Sequence, residues 1–86
     1  MTTDTITVRF FASFREELGT DQVSVPAQPG LTAGDILATL GERSGPWAQL
    51  RDNPAVMIAI NQTMAKPSSQ VRGGDEVAFF PPVTGG

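Results

Sequence analysis

The sequence predicts an α+β fold in which one main helix packs on a mixed sheet of four or five strands. Strand-like segments outnumber helical ones, and a single helical segment has a well-defined apolar face. The elements follow the order β, α, β, α, short α, β, β, β. One amphipathic helix crossing a mixed sheet is an economical way to bury these faces, and a chain of 86 residues suits one such domain.

The first elements are a strand and a short helix. Thr5 to Phe11 alternates between apolar and other residues, which predicts a strand with one buried face. Ser13 and Glu16 have the spacing of a capping box, so a short helix is expected to follow and to end at Gly19 in the left-handed conformation. Gln22 to Val25 alternates again and predicts a second strand.

The main helix is predicted from its cap and its apolar stripe. Thr32 and Asp35 form a second capping-box candidate, with Asp in place of Glu. Ile36, Leu37 and Leu40 then lie on one face of a helix that extends to about Leu40.

The second half of the chain is mostly strand. Pro46 to Leu50 predicts a one-turn helix and Arg51 to Pro54 a loop. Ala55 to Ile60 is nearly all apolar, which predicts a central strand covered on both faces. Asn61-Gln62 predicts a tight turn into a brief strand, and Glu76 to Phe80 predicts the last strand.

If the first and last strands are neighbours, the end of the chain leaves from the middle of the sheet. This arrangement indicates a ubiquitin-like β-grasp domain over residues 1–80 and an extended tail over residues 81–86. Pro81 and Pro82 end the strand ladder because proline donates no backbone N–H. The six tail residues reach roughly 20 Å when extended. A frayed, functionless end is the alternative interpretation.

Composition excludes several classes of function. The chain has no cysteine and no histidine, so thiolate chemistry and the commonest general base are absent. Its net charge of −3 and its scattered basic residues argue against nucleic-acid binding. No apolar run has the length of a membrane helix, so we expect a cytoplasmic protein without a membrane partner.

Three apolar residues are candidates for a docking surface. Alternation turns Phe80 and Phe11 away from the core face, toward the side of the sheet without a helix, and Met64, just past the Asn61 turn, is a candidate to join them. Aromatic and methionine side chains carry much of the energy at protein interfaces. A cross-strand pair partly covered by a loop is the structural alternative.

The Gly85-Gly86 end suits chemistry on a terminal carboxylate. A carboxylate must be activated, for instance by adenylation, before a sulfur or an amine can attack its carbonyl carbon. Glycine allows the backbone to approach closely inside an activating site. Attack by sulfur makes a sulfur carrier, and attack by an amine makes a protein modifier.

The chain resembles the family of small, sulfur-carrier subunits of molybdopterin synthase. The resemblance runs nearly end to end and is carried by residues 8–12 (VRFFA), 15–19 (REELG), 59–63 (AINQT) and above all 74–86 (GDEVAFFPPVTGG). The Asn-Gln turn also occurs in the thiamine-pathway sulfur carrier, which shares the Gly-Gly end but lacks the Phe-Phe-Pro-Pro sequence. Residues 26–54 match only in pattern.

The resemblance implies a β-grasp fold, a set of partners and a reaction cycle. An adenylating enzyme related to ubiquitin activators uses MgATP to adenylate Gly86, and a donor of the cysteine-desulfurase or rhodanese type supplies sulfur for a thiocarboxylate. The tail then enters the large synthase subunit, which holds the active site, and gives sulfur to cyclic pyranopterin monophosphate. The complete synthase is a heterotetramer, and the small subunit holds no cofactor. The family's inserted tail corresponds to Pro81, Pro82, Val83, Thr84, Gly85 and Gly86, and its contact surface to Phe11, Met64 and Phe80.

Three other functions remain open at this point. The chain could carry sulfur for another pathway, such as thiamine, cysteine or tRNA thiolation. It could be a ubiquitin-like modifier joined to lysines, or a non-covalent binding module that does not depend on Gly85 and Gly86.

Overall fold

The computed structural model describes residues 5–43, 45–52 and 56–81. The strands are β1 (Thr5–Phe10), β2 (Gln22–Pro26), β3 (Met57–Ile60), β4 (Thr63–Ala65) and β5 (Glu76–Phe80). The helices are α1 (Ser13–Leu18), α2 (Ala33–Gly41) and α3 (Ala48–Asp52), and a 3₁₀ turn at Gly45–Trp47 precedes α3. The order of elements confirms the prediction from the sequence.

The five strands form one mixed sheet in the order β2-β1-β5-β3-β4. β1 pairs with β5 in parallel, and the other neighbouring strands are antiparallel. β5 is therefore the central strand, as expected if the chain leaves the domain from the middle of the sheet. This topology confirms the predicted α+β fold.

One face of the sheet builds the core together with the helices. The strands contribute fully buried side chains, which are Ile6, Val8, Phe10, Ile58, Val77 and Phe79. The helices contribute Phe14, Leu18, Ile36, Leu40 and Leu50. The Trp47 ring meets the Phe10 ring edge-on, with centroids 5.5 Å apart, so Trp47 and Leu50 close one side of the core as predicted.

The main helix begins at the predicted capping box. The Asp35 backbone N–H donates to Thr32 Oγ1 at 3.1 Å, and the Thr32 backbone N–H donates to Asp35 Oδ2 at 3.0 Å. Two amides at the helix start are thus satisfied reciprocally. At the other end, Gly41 lies against Arg51 of α3, where an added Cβ would be 2.4 Å from the Arg51 Cβ.

The predicted capping box of α1 is wrong. Ser13 is the first helical residue rather than the cap, and Ala12 takes the cap position with φ 56° and no side-chain hydrogen bond. The backbone satisfies the first amides, because the Phe14 N–H donates to the Phe11 carbonyl and the Arg15 N–H to the Ala12 carbonyl. The chain turns sharply after β1, and this turn brings Phe14 into the core. The predicted left-handed cap at Gly19 is confirmed, with φ 74°.

Two predictions in the second half need correction. Arg51 and Asp52 are the last residues of α3 rather than part of a loop, because the helix continues two residues past the buried Leu50, and Asn53 and Pro54 lie outside the described residues. The strand predicted over residues 55–60 begins at Met57, and its coverage on both faces is confirmed only at Ile58 and Ala59, which are both buried. Met57 is 37% exposed, since none of the described helices packs on its side of the sheet. Among the described helices, none has the length and apolar character needed to cross a bilayer.

Candidate functional site

The predicted tail starts at the end of the central strand. Phe80 is the last residue of β5 and pairs with Met57 of β3, and on the other side Phe10 of β1 pairs with Phe79. The Phe11 N–H donates to the Phe79 carbonyl at 3.3 Å and extends this pairing by one step. Pro81 follows the strand and is half-buried. The other predicted tail residues, Pro82 to Gly86, lie outside the described residues.

Phe11 and Phe80 meet on the side of the sheet opposite the core. Their rings are nearly parallel, at 14°, and the centroids are 4.9 Å apart. Phe11 is 37% exposed, and Phe80 is half-buried. No helix among the described residues covers this stack, so the pair is both a cross-strand contact and an accessible aromatic surface. The structure thus confirms the cross-strand pair and shows that it is accessible, and docking of a partner there stays a prediction.

Met64 lies on the same face but does not adjoin the aromatic stack directly. It pairs with Ala59 of β3, and Ala59 pairs in turn with Ala78 of β5. Paired residues project from the same face of a sheet. The short side chains of Ala59 and Ala78 therefore form a low floor beside Met64, and Phe80 lies two residues further along β5 on the same face. Met64 is 61% exposed, the most of any large apolar side chain in the described residues.

Met57 is a fourth member of this surface, and the sequence prediction missed it. Met57 pairs directly with Phe80 and projects from the face opposite the core. The signal was present in the sequence, because Ile58 and Ile60 face the core and alternation turns Met57 outward. The interpretation of residues 55–60 as a strand buried on both faces hid that signal. We call Phe11, Met57, Met64 and Phe80 the apolar patch.

A charged pair borders the apolar patch. Arg9 Nη1 lies 3.2 Å from Glu76 Oε2, and the guanidinium carbon lies 5.9 Å from the centroid of the Phe11 ring. Both charged side chains are more than one-third exposed, so the ion pair adds little stability in the free chain. It places two charged side chains beside the aromatic stack.

The Asn61-Gln62 turn ties the β3–β4 hairpin to the start of the last strand. Asn61 Oδ1 accepts a hydrogen bond from the Glu76 N–H at 3.0 Å, and its Nδ2 donates to Asp75 Oδ1 at 3.1 Å. The Asn61 N–H donates to the Glu76 carbonyl at 2.8 Å. Asn61 and Gln62 both have positive φ, as the predicted tight turn requires. This turn holds β3 and β4, and with them both methionines, in register with β5.

Chemical groups that could catalyse a reaction are scarce. No group of three His, Cys, Asp or Glu residues in the described parts of the chain is placed to hold a metal ion. Within the same ranges, every buried side-chain nitrogen or oxygen has a hydrogen-bond partner.

A protein-family model matches most of the chain. The family model described as the ThiS family matches residues 8–86, which is most of the chain.

The chain belongs to the ThiS family.

Three curated relatives have the name "Molybdopterin synthase sulfur carrier subunit". The Haemophilus influenzae protein is 40% identical over 81 residues, covering 94% of this chain and 99% of the relative. The Escherichia coli protein is 42% identical over 82 residues, with the same coverage. The Mycobacterium tuberculosis protein is 35% identical over 83 residues, covering 94% of this chain and 96% of the relative. The resemblance predicted from the sequence is confirmed.

Solved structures of similar fold include a modifier protein and a subunit complex. Small archaeal modifier protein 1 of Haloferax volcanii has a TM-score of 0.76 at 28% identity, covering 92% of this chain and 98% of that chain. A complex of subunits 1 and 2 of the molybdopterin-converting factor from Helicobacter pylori contains a chain with a TM-score of 0.64 at 24% identity, covering 95% of this chain and 99% of that one. The ubiquitin-like β-grasp fold of this ThiS-family chain is thereby confirmed.

Proposed function

We propose that this ThiS-family chain is the sulfur-carrier subunit of a molybdopterin synthase and donates sulfur from Gly86 during molybdenum cofactor biosynthesis. The observation that carries the proposal is its 35–42% identity, over 94% of its length, to three relatives with that name. The structure adds support, because the central strand ends beside an uncovered apolar patch, a suitable base for a tail that enters a partner.

The proposed chemistry takes place on the Gly86 carboxylate. A carboxylate oxygen attacks the α-phosphorus of ATP in a ubiquitin-activator-like enzyme, forming an acyl-adenylate and releasing pyrophosphate. The outer sulfur of a persulfide on a cysteine-desulfurase or rhodanese-type donor then attacks the carbonyl carbon and displaces AMP, which forms an acyl disulfide. A second thiol attacks the donor's sulfur in that disulfide, so the S–S bond to the transferred sulfur breaks, the thiocarboxylate is released and a new disulfide remains on the donor side. Mg²⁺ and ATP act in the activating enzyme, so this chain needs no resident cofactor. Because partner proteins supply the catalytic groups, the proposed chemistry suits a chain that has neither cysteine nor histidine.

The proposed partner is the large synthase subunit, whose active site would receive the tail. The Helicobacter pylori complex joins a chain of this fold to a subunit 2, which supports a two-subunit assembly. In our proposal the apolar patch contacts the large subunit while residues 81–86 extend into it. Burial of exposed aromatic and methionine side chains supplies the binding free energy. The tail, which contains Pro-Pro and Gly-Gly, is slender enough to enter the active site of the large subunit.

The proposal is tested by intact mass spectrometry. The chain is incubated with MgATP, a matching activating enzyme and a sulfur donor, beside a variant that lacks Gly86. We expect a mass gain equal to exchange of one oxygen for sulfur in the full chain and none in the variant. Addition of the large subunit and cyclic pyranopterin monophosphate should then yield molybdopterin. Sulfur transfer by the Gly86-deleted chain would refute the proposal.

A second candidate function is protein modification, favoured by the likeness to the archaeal modifier protein. The same adenylate would then be attacked by a lysine amine, and Gly86 would form an isopeptide bond. Digests of cells that produce the chain would contain branched peptides linked through Gly86. Such peptides together with a lack of thiocarboxylate would favour this function over sulfur transfer.

A further inference from the structure

Two methionines are exposed on the same face of the sheet as the aromatic stack. The chain contains three methionines and no cysteine, so all of its own sulfur is thioether sulfur. Met57 is 37% exposed and Met64 is 61% exposed, although both lie in β-strands. Thioethers with this access to solvent are open to oxidation by peroxides.

The strand register places both methionines within the apolar patch. Met57 pairs with Phe80, which in turn stacks on Phe11, so Met57 and Phe11 lie beside the same aromatic ring. Met64 lies across the Ala59–Ala78 floor from that cluster. A partner that covers the aromatic stack and this floor therefore buries one or both thioethers.

We propose that Met57 and Met64 form an oxidation site at which a peroxide, reacting with the free chain, prevents the apolar patch from binding its partner. This inference rests on the proposed function, because the partner is the large synthase subunit. In the reaction, a sulfur lone pair attacks one peroxide oxygen, an S–O bond forms and the O–O bond breaks. The other oxygen leaves as hydroxide and becomes water after proton transfer. Each thioether is oxidised by two electrons, and one peroxide is reduced.

Oxidation changes the patch more than it changes the fold. A sulfoxide is polar, and burying its oxygen against an apolar partner without a hydrogen bond is unfavourable. The core does not depend on the methionine side chains, because Ile58 anchors β3 from the other face and the Asn61 turn holds β3 and β4 to β5. We therefore expect the oxidised chain to stay folded and to bind its partner about tenfold more weakly or worse.

The experiment compares the wild-type chain with a Met57→Leu, Met64→Leu double variant, both with an unmodified carboxylate at Gly86 so that no thiocarboxylate is oxidised. Leucine keeps the apolar volume but cannot form a sulfoxide. The variant retains Met1, which controls for oxidation elsewhere. Each chain is treated with hydrogen peroxide, checked by peptide mass for sulfoxide at Met57 and Met64 and by circular dichroism for folding, and titrated with the large subunit of the same organism.

Each untreated chain serves as its own reference for affinity, and we expect only the wild type to lose affinity after peroxide treatment. Methionine sulfoxide reductases should restore that binding. Equal affinity of the wild type before and after complete oxidation would overturn the inference, as would unfolding of the oxidised chain or resistance of both methionines to peroxide. If the untreated wild type failed to bind the large subunit, the proposed function would fail, and the inference with it.

Discussion

Phe11 and Phe80 stack face to face, with centroids 4.9 Å apart, on the side of the sheet that no described helix covers. Their neighbours Phe10 and Phe79 point the other way and are buried in the core. In each pair of adjacent phenylalanines, one ring therefore packs in the core and the other belongs to the apolar patch. The alternation of a β-strand produces this division.

Replacing Phe11 by alanine should mainly weaken partner binding, and replacing Phe10 by alanine should mainly lower stability. Phe11→Ala removes one ring of the exposed stack and should lower the free energy of unfolding by only about 1 kcal/mol, the typical value of an aromatic pair. It should weaken large-subunit binding about tenfold or more. Phe10→Ala should cost about 3–5 kcal/mol because it opens a cavity in the core. Urea unfolding and titration with the large subunit check both variants, and equal losses of stability would contradict the assignment.

The Asn61-Gln62 turn allows a test in which neighbouring substitutions have opposite effects. Asn61→Ala removes two side-chain hydrogen bonds to the start of β5 and should lower the free energy of unfolding by about 1–3 kcal/mol. Gln62→Gly should raise it by up to about 1 kcal/mol, because Gln62 has φ 69° and glycine adopts that conformation without strain. Thermal unfolding of both variants provides the measurement. Destabilisation by Gln62→Gly would show that its side chain has a role that the structure does not reveal.

Gly41→Ala is predicted to destabilise the protein, although replacing glycine by alanine usually stabilises a helix. An alanine Cβ would lie 2.4 Å from the Arg51 Cβ and 2.9 Å from the Arg51 nitrogen, so α2 and α3 would have to separate. We expect Gly41→Ala to lower the free energy of unfolding by about 1–3 kcal/mol. The exposed Ala38 of the same helix provides the control, since Ala38→Gly measures the helix-propensity difference alone, about 1 kcal/mol. A stabilised Gly41→Ala chain would show that α3 moves away at little cost.

The two helix starts should respond differently to loss of a hydroxyl. Thr32→Ala removes an acceptor for the Asp35 N–H and should lower the free energy of unfolding by about 1 kcal/mol. Ser13→Ala should change it by less than about 0.5 kcal/mol, because Ser13 lies inside α1 and makes no capping hydrogen bond. Chemical denaturation distinguishes the two, and a cost at Ser13 as large as that at Thr32 would restore the capping box expected from the sequence.

Most of the fold could be predicted from the sequence because its signals are local. Strand alternation, the Thr32 cap, the Gly19 cap and the Asn61-Gln62 turn each depend on neighbouring residues, and the structure confirms them. The failures at Ser13 and at Arg51-Asp52 have a different origin. A backbone turn without a side-chain cap sets the first boundary and packing of α3 on α2 sets the second, and the residue types at these positions signal neither.

The candidate site could be predicted only where its signals are local in the sequence. The sequence by itself determined that Phe11 and Phe80 face away from the core, that Met64 follows a tight turn, and that the chain resembles a sulfur carrier. Only the tertiary structure decided that the two rings stack, that Met57 pairs with Phe80, and that Met64 lies across the two alanines. These contacts depend on strand order and register, which are properties of long-range pairing and cannot be read from the pattern of any one segment.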